Sequence, residues 1–347
     1  MKKKQWIAIA VALVLFVASV LIPSRTSKQQ EKIEEAVNKS LDSYTENIFG
    51  KFGKMDEITE EVLEVGDKTN RILVLDLDGA IMDTSANQNP FAPIGYNHKA
   101  FLEELDKVLE DDSIKAILFK VNSPGGGVYE SAEIRNKILK IKNERQIPIY
   151  VSMQKMAASG GYWISADADK IFAHEETITG SIGVISQAID YSGLMEKYGV
   201  KMNIYKSGPN KDMGSPYKPA TEEEVAIWNA FTQEVYSRFV NVVANGRNMP
   251  EERVREIADG RIYTAYQAKA NGLIDEIAFT EDVLEALKTD NSLEGAEVFM
   301  YRANPNPFAS LGFVKSNLYP SSELEELRKL MDMQNEPVRP MLIYGGN

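Results

Sequence analysis

Met156-Ala157-Ala158-Ser159-Gly160-Gly161-Tyr162-Trp163 is a corner of small residues between two regular elements. Residues 149–152, Ile-Tyr-Val-Ser, read as an apolar strand before it, and residues 162–166 read as the helix after it. Ala and Gly carry little or no side chain, so backbone at such a corner can approach a ligand closely. The corner leaves one hydroxyl, that of Ser159, near the positive end of a helix. There, orphan N–H groups and the macrodipole favour developing negative charge. Two readings stand. Ser159 is a nucleophile on a strand-to-helix elbow, or it is the N-cap of an ordinary helix start.

Working outward, strands and helices alternate, and glycines gather where strands end. Residues 72–75 form an apolar strand running into Asp76-Leu77-Asp78-Gly79-Ala80. An apolar strand ending in Asp-x-Asp-Gly resembles the first motif of haloacid-dehalogenase-type phosphatases. Ala80 departs from that motif, and Asp111-Asp112 ends a helix instead of supplying a metal-binding pair. The plain alternative is a strand end turning at Gly79. Residues 98–110 are an amphipathic helix with His98 at its start, in a polar surface role. Residues 114–121 are a second strand, ending in Asn122-Ser123-Pro124-Gly125-Gly126-Gly127, and residues 129–145 are a helix. Three glycines between strand and helix expose backbone N–H groups. They lack the Gly-Lys-Ser/Thr ending of a P-loop, which leaves an oxyanion hole or a flexible loop.

Residues 169–174 are a strand ending at His174, a position more often structural than catalytic. Thr179-Gly180-Ser181-Ile182-Gly183-Val184 is a second small-residue corner. A helix at 194–199, a strand at 200–205 and the loop Lys206-Ser207-Gly208-Pro209-Asn210-Lys211-Asp212 follow. Helices are expected at 222–246, 250–258, 281–287 and 321–333. A helix and then a strand are expected within 260–275, a strand at 297–302, and a loose tail at 337–347. The pattern predicts an α/β domain with much parallel pairing and active groups at the strand ends.

The chain has 347 residues, 44% of them hydrophobic, and a net charge of −12. An acidic surface argues against nucleic acid, where Lys and Arg must neutralise phosphates. There is no Cys, which excludes thiol nucleophiles, disulfides and thiolate metal sites. Only two histidines, His98 and His174, are available for a His-dependent triad or metal site. At the N-terminus, Lys2, Lys3 and Lys4 precede an uncharged apolar run over residues 6–22. Its length of about 17 residues is at the short end for a membrane-spanning helix. The run reads as an uncleaved signal anchor or as a signal peptide that is removed; with the lysines on the inside, the anchor would place the bulk of the chain on the outer face of the cell membrane. Residues 28–49 are polar but carry Ile33, Val37, Leu41, Tyr44 and Ile48 at helical spacing. They read as a stalk helix or as a solvated linker. The expected division is anchor 1–27, helical stalk or linker 28–69, catalytic domain 70–288 and extension 289–347.

Five motifs occur in order: Asn122-Ser-Pro-Gly-Gly-Gly127, Ala158-Ser-Gly-Gly-Tyr162, Thr179-Gly-Ser-Ile-Gly-Val184, Lys206-Ser-Gly-Pro-Asn-Lys-Asp212 and Gly260-Arg-Ile-Tyr-Thr-Ala-Tyr-Gln-Ala268. In that order they resemble the signal peptide peptidase A family, membrane-anchored serine proteases of the ClpP/crotonase-like fold. The similarity covers residues 71–287, and the length resembles the short, single-repeat form. The resemblance implies repeated β-β-α units and a Ser/Lys dyad, which falls on Ser159 and Lys211. It implies a hydroxyl orienting the lysine, here Ser181, and oxyanion N–H groups from Gly126 and Gly160. It also implies a ring- or dome-shaped homo-oligomer cleaving signal-peptide remnants and other apolar peptides, with no cofactor and no metal. Asp76-Leu-Asp78 and the Ala265-Tyr266 pair depart from the family pattern. The chemistry agrees with the resemblance. A lysine near pKa 10.4 is no base at neutral pH, but burial disfavours its charged form, and Ser-Lys is a known variant of the triad. Lys206 is the competing lysine, read as structural or solvated. The other function classes are a crotonase-type acyl-CoA enzyme, the Asp76/Asp78 phosphatase and a non-catalytic membrane scaffold.

Overall fold

The computed structural model describes residues 58–83, 96–302 and 341–345. The expected anchor over residues 6–22, the stalk over 28–57 and the helix at 321–333 lie outside the described residues. Among the described residues no helix is long and apolar enough to cross a membrane.

A mostly parallel sheet forms the centre of a mixed α/β fold. Its main path is β1 (Thr59–Glu64), β10 (Ala296–Arg302), β2 (Asp67–Asp78), β3 (Ile114–Ser123), β5 (Ile149–Ala158), β6 (Lys170–Ala173) and β9 (Glu276–Ile277). Only β1 runs antiparallel on this path. Residues 58–69 therefore open the sheet, where a helical linker was expected. β7 (Ile178–Gly180) extends β5 in parallel and pairs antiparallel with β8 (Ile262–Thr264).

The central strands are apolar in continuous runs because helices cover both faces. Side chains alternate along β2. Leu73, Leu75 and Leu77 enter one core with Phe101, Leu105 and Val108 of α1 (His98–Glu110) and Ile134, Ile138 and Ile141 of α2 (Val128–Arg145). Ile72 and Val74 enter the other, beneath Val283 and Leu287 of the helix Thr280–Asp290. Each fully buried Leu or Ile contributes about 1.5–3 kcal/mol.

Three other helices bear on the site: α3 (Gly160–Ser165), α4 (Ser192–Lys197) and α5 (Glu222–Gly246). A capping box between Thr221 and Glu224 starts α5. The second half of α5 is core, through Val235, Phe239, Val240 and Val243, while Val225, Ile227 and Phe231 are exposed. The strand expected at 200–205 is absent. Residues 201–206 are exposed and find no strand partner, so the alternation of Val200, Met202 and Ile204 has no sheet to join. The tail is also different from expectation: β11 (Met341–Ile343) pairs antiparallel with β4 (Gly125–Gly127).

Candidate active site

β5 runs through Ala158 and delivers Ser159 at the first turn of α3. Ser159 has φ +53° and ψ −116°, a conformation that non-glycine residues adopt only when their surroundings impose it. Its N–H donates to Gly180 O at 2.8 Å, and its C=O accepts from Trp163 N at 2.9 Å. It is 1% exposed. Its side chain makes no capping hydrogen bond, so the N-cap explanation of the serine fails on its defining contact. A strained strand-to-helix corner with an uncommitted hydroxyl is the geometry of a nucleophile elbow.

The bond to Gly180 sets the second corner beside the first. Ser181, next in the chain, also has positive φ (+48°), is buried, and is held by donation from its N–H to Arg261 O at 2.8 Å. The triple glycine is a short strand, not a flexible loop. Gly125 N–H donates to Ser123 Oγ at 3.0 Å, and Ser131 Oγ donates to Gly127 O at 2.8 Å. On one edge of β4, Ile81 N–H donates to Gly125 O and Gly127 N–H donates to Ile81 O, both at 2.8 Å. Strand alternation then turns the Gly126 N–H toward the opposite edge.

That edge is occupied by β11, with Leu342 opposite Gly126. On its far side Met341 exchanges two hydrogen bonds with Ile185, at 2.9 and 3.2 Å, so the N–H and C=O of Leu342 face back toward β4. A Cβ built on Gly125 would lie 1.9 Å from Leu342 O and 2.6 Å from Gly160 N. Gly125 has φ +96°, so glycine is required there both for the backbone and for the approach of a peptide carbonyl. The two glycines named from the sequence, Gly126 and Gly160, thus lie around one carbonyl oxygen of the chain's own tail. The groove between β4 and Ile185 holds an extended backbone on both sides, and the Leu342 side chain is fully buried in it. Sequence reasoning missed this strand. The signal was Met341-Leu342-Ile343-Tyr344, an apolar run inside a stretch read as loose.

Lys211 belongs to a different element from this corner. It sits in a 3₁₀ turn, Pro209–Asp212, with its side chain exposed. Among the described residues, no hydrogen bond joins it to Ser159 or Ser181. Lys206 is committed elsewhere: its Nζ donates to Pro209 O at 2.7 Å and to Asp212 Oδ1 at 2.6 Å.

The remaining candidates are structural. His98 is buried, contrary to its expected surface role; Tyr96 Oη lies 2.6 Å from its Nδ1 and Glu133 Oε2 lies 3.0 Å from its Nε2. His174 Nδ1 accepts from Glu176 N at 3.1 Å, and its ring packs edge-on against Phe279 at 4.5 Å. Asp76 pairs with Lys120 at 2.7 Å, and Asp78 accepts from Asn122 Nδ2 at 3.0 Å. Asn122 Oδ1 in turn accepts from Met156 N at 3.3 Å, so the Asp-x-Asp motif braces the strand leading to Ser159.

Residues 141–294 match the sequence profile of peptidase family S49. The chain is 47% identical over 310 residues to a putative signal peptide peptidase SppA of Enterococcus faecium, covering 89% of this chain and 88% of the relative. It is 32% identical over 230 residues to Protease 4 of Haemophilus influenzae, covering 66% and 36% of the two chains. It is 32% identical over 177 residues to the chloroplastic serine protease SPPA of Arabidopsis thaliana, covering 51% and 26%. The nucleophile-elbow geometry at Ser159 and this similarity along most of the chain lead to one conclusion: the chain belongs to peptidase family S49 and is a serine endopeptidase.

Proposed function

We propose that the chain is a membrane-anchored endopeptidase that cleaves extended apolar peptides, signal-peptide remnants among them, with Ser159 as nucleophile and Lys211 as general base. The neutral Lys211 amine takes the Ser159 proton as the oxygen attacks a peptide carbonyl. The Gly126 and Gly160 N–H groups receive the oxyanion. The lysine then protonates the leaving amine, and water releases the acyl group from Ser159. Ser181 orients the lysine. No metal or cofactor enters these steps. The observation that carries the reading is β11: an apolar segment in extended form lies along β4 with a carbonyl beside both glycines. A substrate would bind in the same way, through backbone hydrogen bonds on both sides and one buried apolar side chain. In this reading the catalytic unit takes the ClpP/crotonase-like fold, and the uncharged run at residues 6–22 anchors it with the groove on the outer face.

The dyad forms between copies in a ring-shaped homo-oligomer. Two features support this. No hydrogen bond joins Lys211 to Ser159 among the described residues, and the lobe around it exposes Leu194, Val200, Met202, Ile204, Ile227 and Phe231, apolar surface suited to a second copy. Mixing full-length Ser159→Ala and Lys211→Ala proteins tests it. Each is expected to be inactive alone, and the mixed oligomer is expected to recover part of the wild-type peptide turnover. A mixture as inactive as its parts would place both groups in one chain.

A further inference from the structure

Lys211 and Asp212 are neighbours in sequence, and a carboxylate beside an amine favours its protonated form. That arrangement is unfavourable for a general base, and the fold deals with it. In a 3₁₀ turn, side chains at i and i+3 lie on one side. Lys206 binds that side of the turn, reaching Pro209 O and Asp212 Oδ1 at 2.7 and 2.6 Å. Lys218 approaches the same Asp212 oxygen at 3.6 Å. It is itself fixed by Glu224, which is buried at the capping box of α5. The Asp212 carboxylate is therefore shared between two cations. Its backbone still closes the turn, since Asp212 O accepts from Ser215 N at 3.0 Å.

The other charged groups near the turn come from the first turn of α5. Glu223 accepts from Asn210 Nδ2 at 3.1 Å, Glu224 is taken by Lys218 and Thr221, and Glu222 has its side chain exposed. Among the described residues Lys211 is the one lysine of this loop without a carboxylate partner, while Lys206 and Lys218 both have one.

We propose that Lys206 and Lys218 are positioning residues that hold the Asp212 carboxylate between them, keeping it off the Lys211 amine and leaving that amine free to act as base for Ser159. The proposal rests on the Ser159/Lys211 reading. The lowered proton affinity of Asp212, caused first by the hydrogen bond from Lys206, is consistent with a carboxylate held ionised by these partners.

The test is the pH profile of kcat/KM for an extended fluorogenic apolar peptide, measured on the full-length protein in detergent. In Lys206→Met the freed Asp212 is expected to turn to Lys211. The acid limb then moves up by about one pH unit, lowering kcat/KM at pH 7 by about tenfold, with most of the loss regained at high pH. Lys206→Arg should keep the wild-type limb. The double variant Lys206→Met/Asp212→Asn should return it, because the carboxylate that needed a counterion has gone. A Lys206→Met limb at the wild-type pH overturns the proposal. So does a double variant whose limb stays with that of the single one, since the shift then does not come from the freed carboxylate. Lys211→Ala separates the two levels of the argument. If it loses activity at every pH while the Lys206 series fails, only the positioning role falls. If it keeps the wild-type limb, the dyad falls and the positioning role with it.

Discussion

Removing residues 341–347 should make the enzyme bind its peptide substrate more tightly. β11 lies where an extended substrate would lie, so tail and substrate compete for one groove. The contacts of β11 give a scale. Met341 exchanges two hydrogen bonds with Ile185, Tyr344 N–H donates to Pro124 O at 2.8 Å, and Leu342 is fully buried. Three such bonds at about 1 kcal/mol each and a buried leucine at about 2 kcal/mol give a gross gain of roughly 5 kcal/mol. Ordering the backbone of Met341–Ile343 at about 1 kcal/mol per residue offsets about 3 kcal/mol of it. The surplus of about 2 kcal/mol corresponds to roughly thirtyfold occupancy of the groove by the tail. The assay is steady-state cleavage of an extended apolar peptide by the full-length and truncated proteins. KM should fall by about thirtyfold in the truncated protein with kcat unchanged. Leu342→Asp should act similarly without truncation, because an unpaired carboxylate is not tolerated in the pocket. An unchanged KM in both variants would refute the reasoning, and a collapse of kcat with the melting temperature would make β11 part of the fold instead of an occupant.

Other outcomes follow from the same geometry. Gly125→Ala puts a side chain on backbone at φ +96° and a Cβ 1.9 Å from Leu342 O. Peptide kcat/KM should fall by about a hundredfold or more, with strain of about 1–3 kcal/mol visible in thermal melts. Burial first, and nearby Asp76 second, raise the Glu104 carboxyl from 4.5 to about 8, opposed by Lys107. This group is protonated in the folded chain and ionised in the unfolded chain between those values. It therefore removes stability as pH rises from 4.5 through about 8. Glu104→Gln should melt like the wild type near pH 4 and be more stable above pH 8, by at most roughly 5 kcal/mol.

Much of this was readable before any coordinates, because the signals were local. The alternation of Leu73, Leu75 and Leu77 with Ile72 and Val74, the stripe of α1 and the N-terminal signals of α5 each follow from neighbours in sequence. The strand-to-helix corner at Ser159 is legible for the same reason: a run of small residues is a local pattern. The errors lie where the outcome depends on distant partners. Residues 200–205 have strand composition but no strand to pair with. Residues 59–64 became a strand because β10, more than 230 residues later, offers them an edge. The tail became β11 because Gly125–Gly127 presents unpaired backbone beside Ile185. The glycine motif predicted N–H donors without revealing which edge they would face, since that depends on Ile81 occupying the other. The burial of His98 is not legible locally, because its partners, Tyr96 and Glu133, meet it only once α1 and α2 pack together.

The central claim is that Ser159 is the nucleophile and Lys211 its base. The most direct measurement is labelling of the full-length protein by an active-site serine probe, with the adduct located by peptide mass mapping and its rate followed in the wild type and in Lys211→Ala. The account predicts a single adduct on Ser159, formed on the order of 10³-fold more slowly without the lysine. An adduct on another residue, or an undiminished rate in Lys211→Ala, would contradict it.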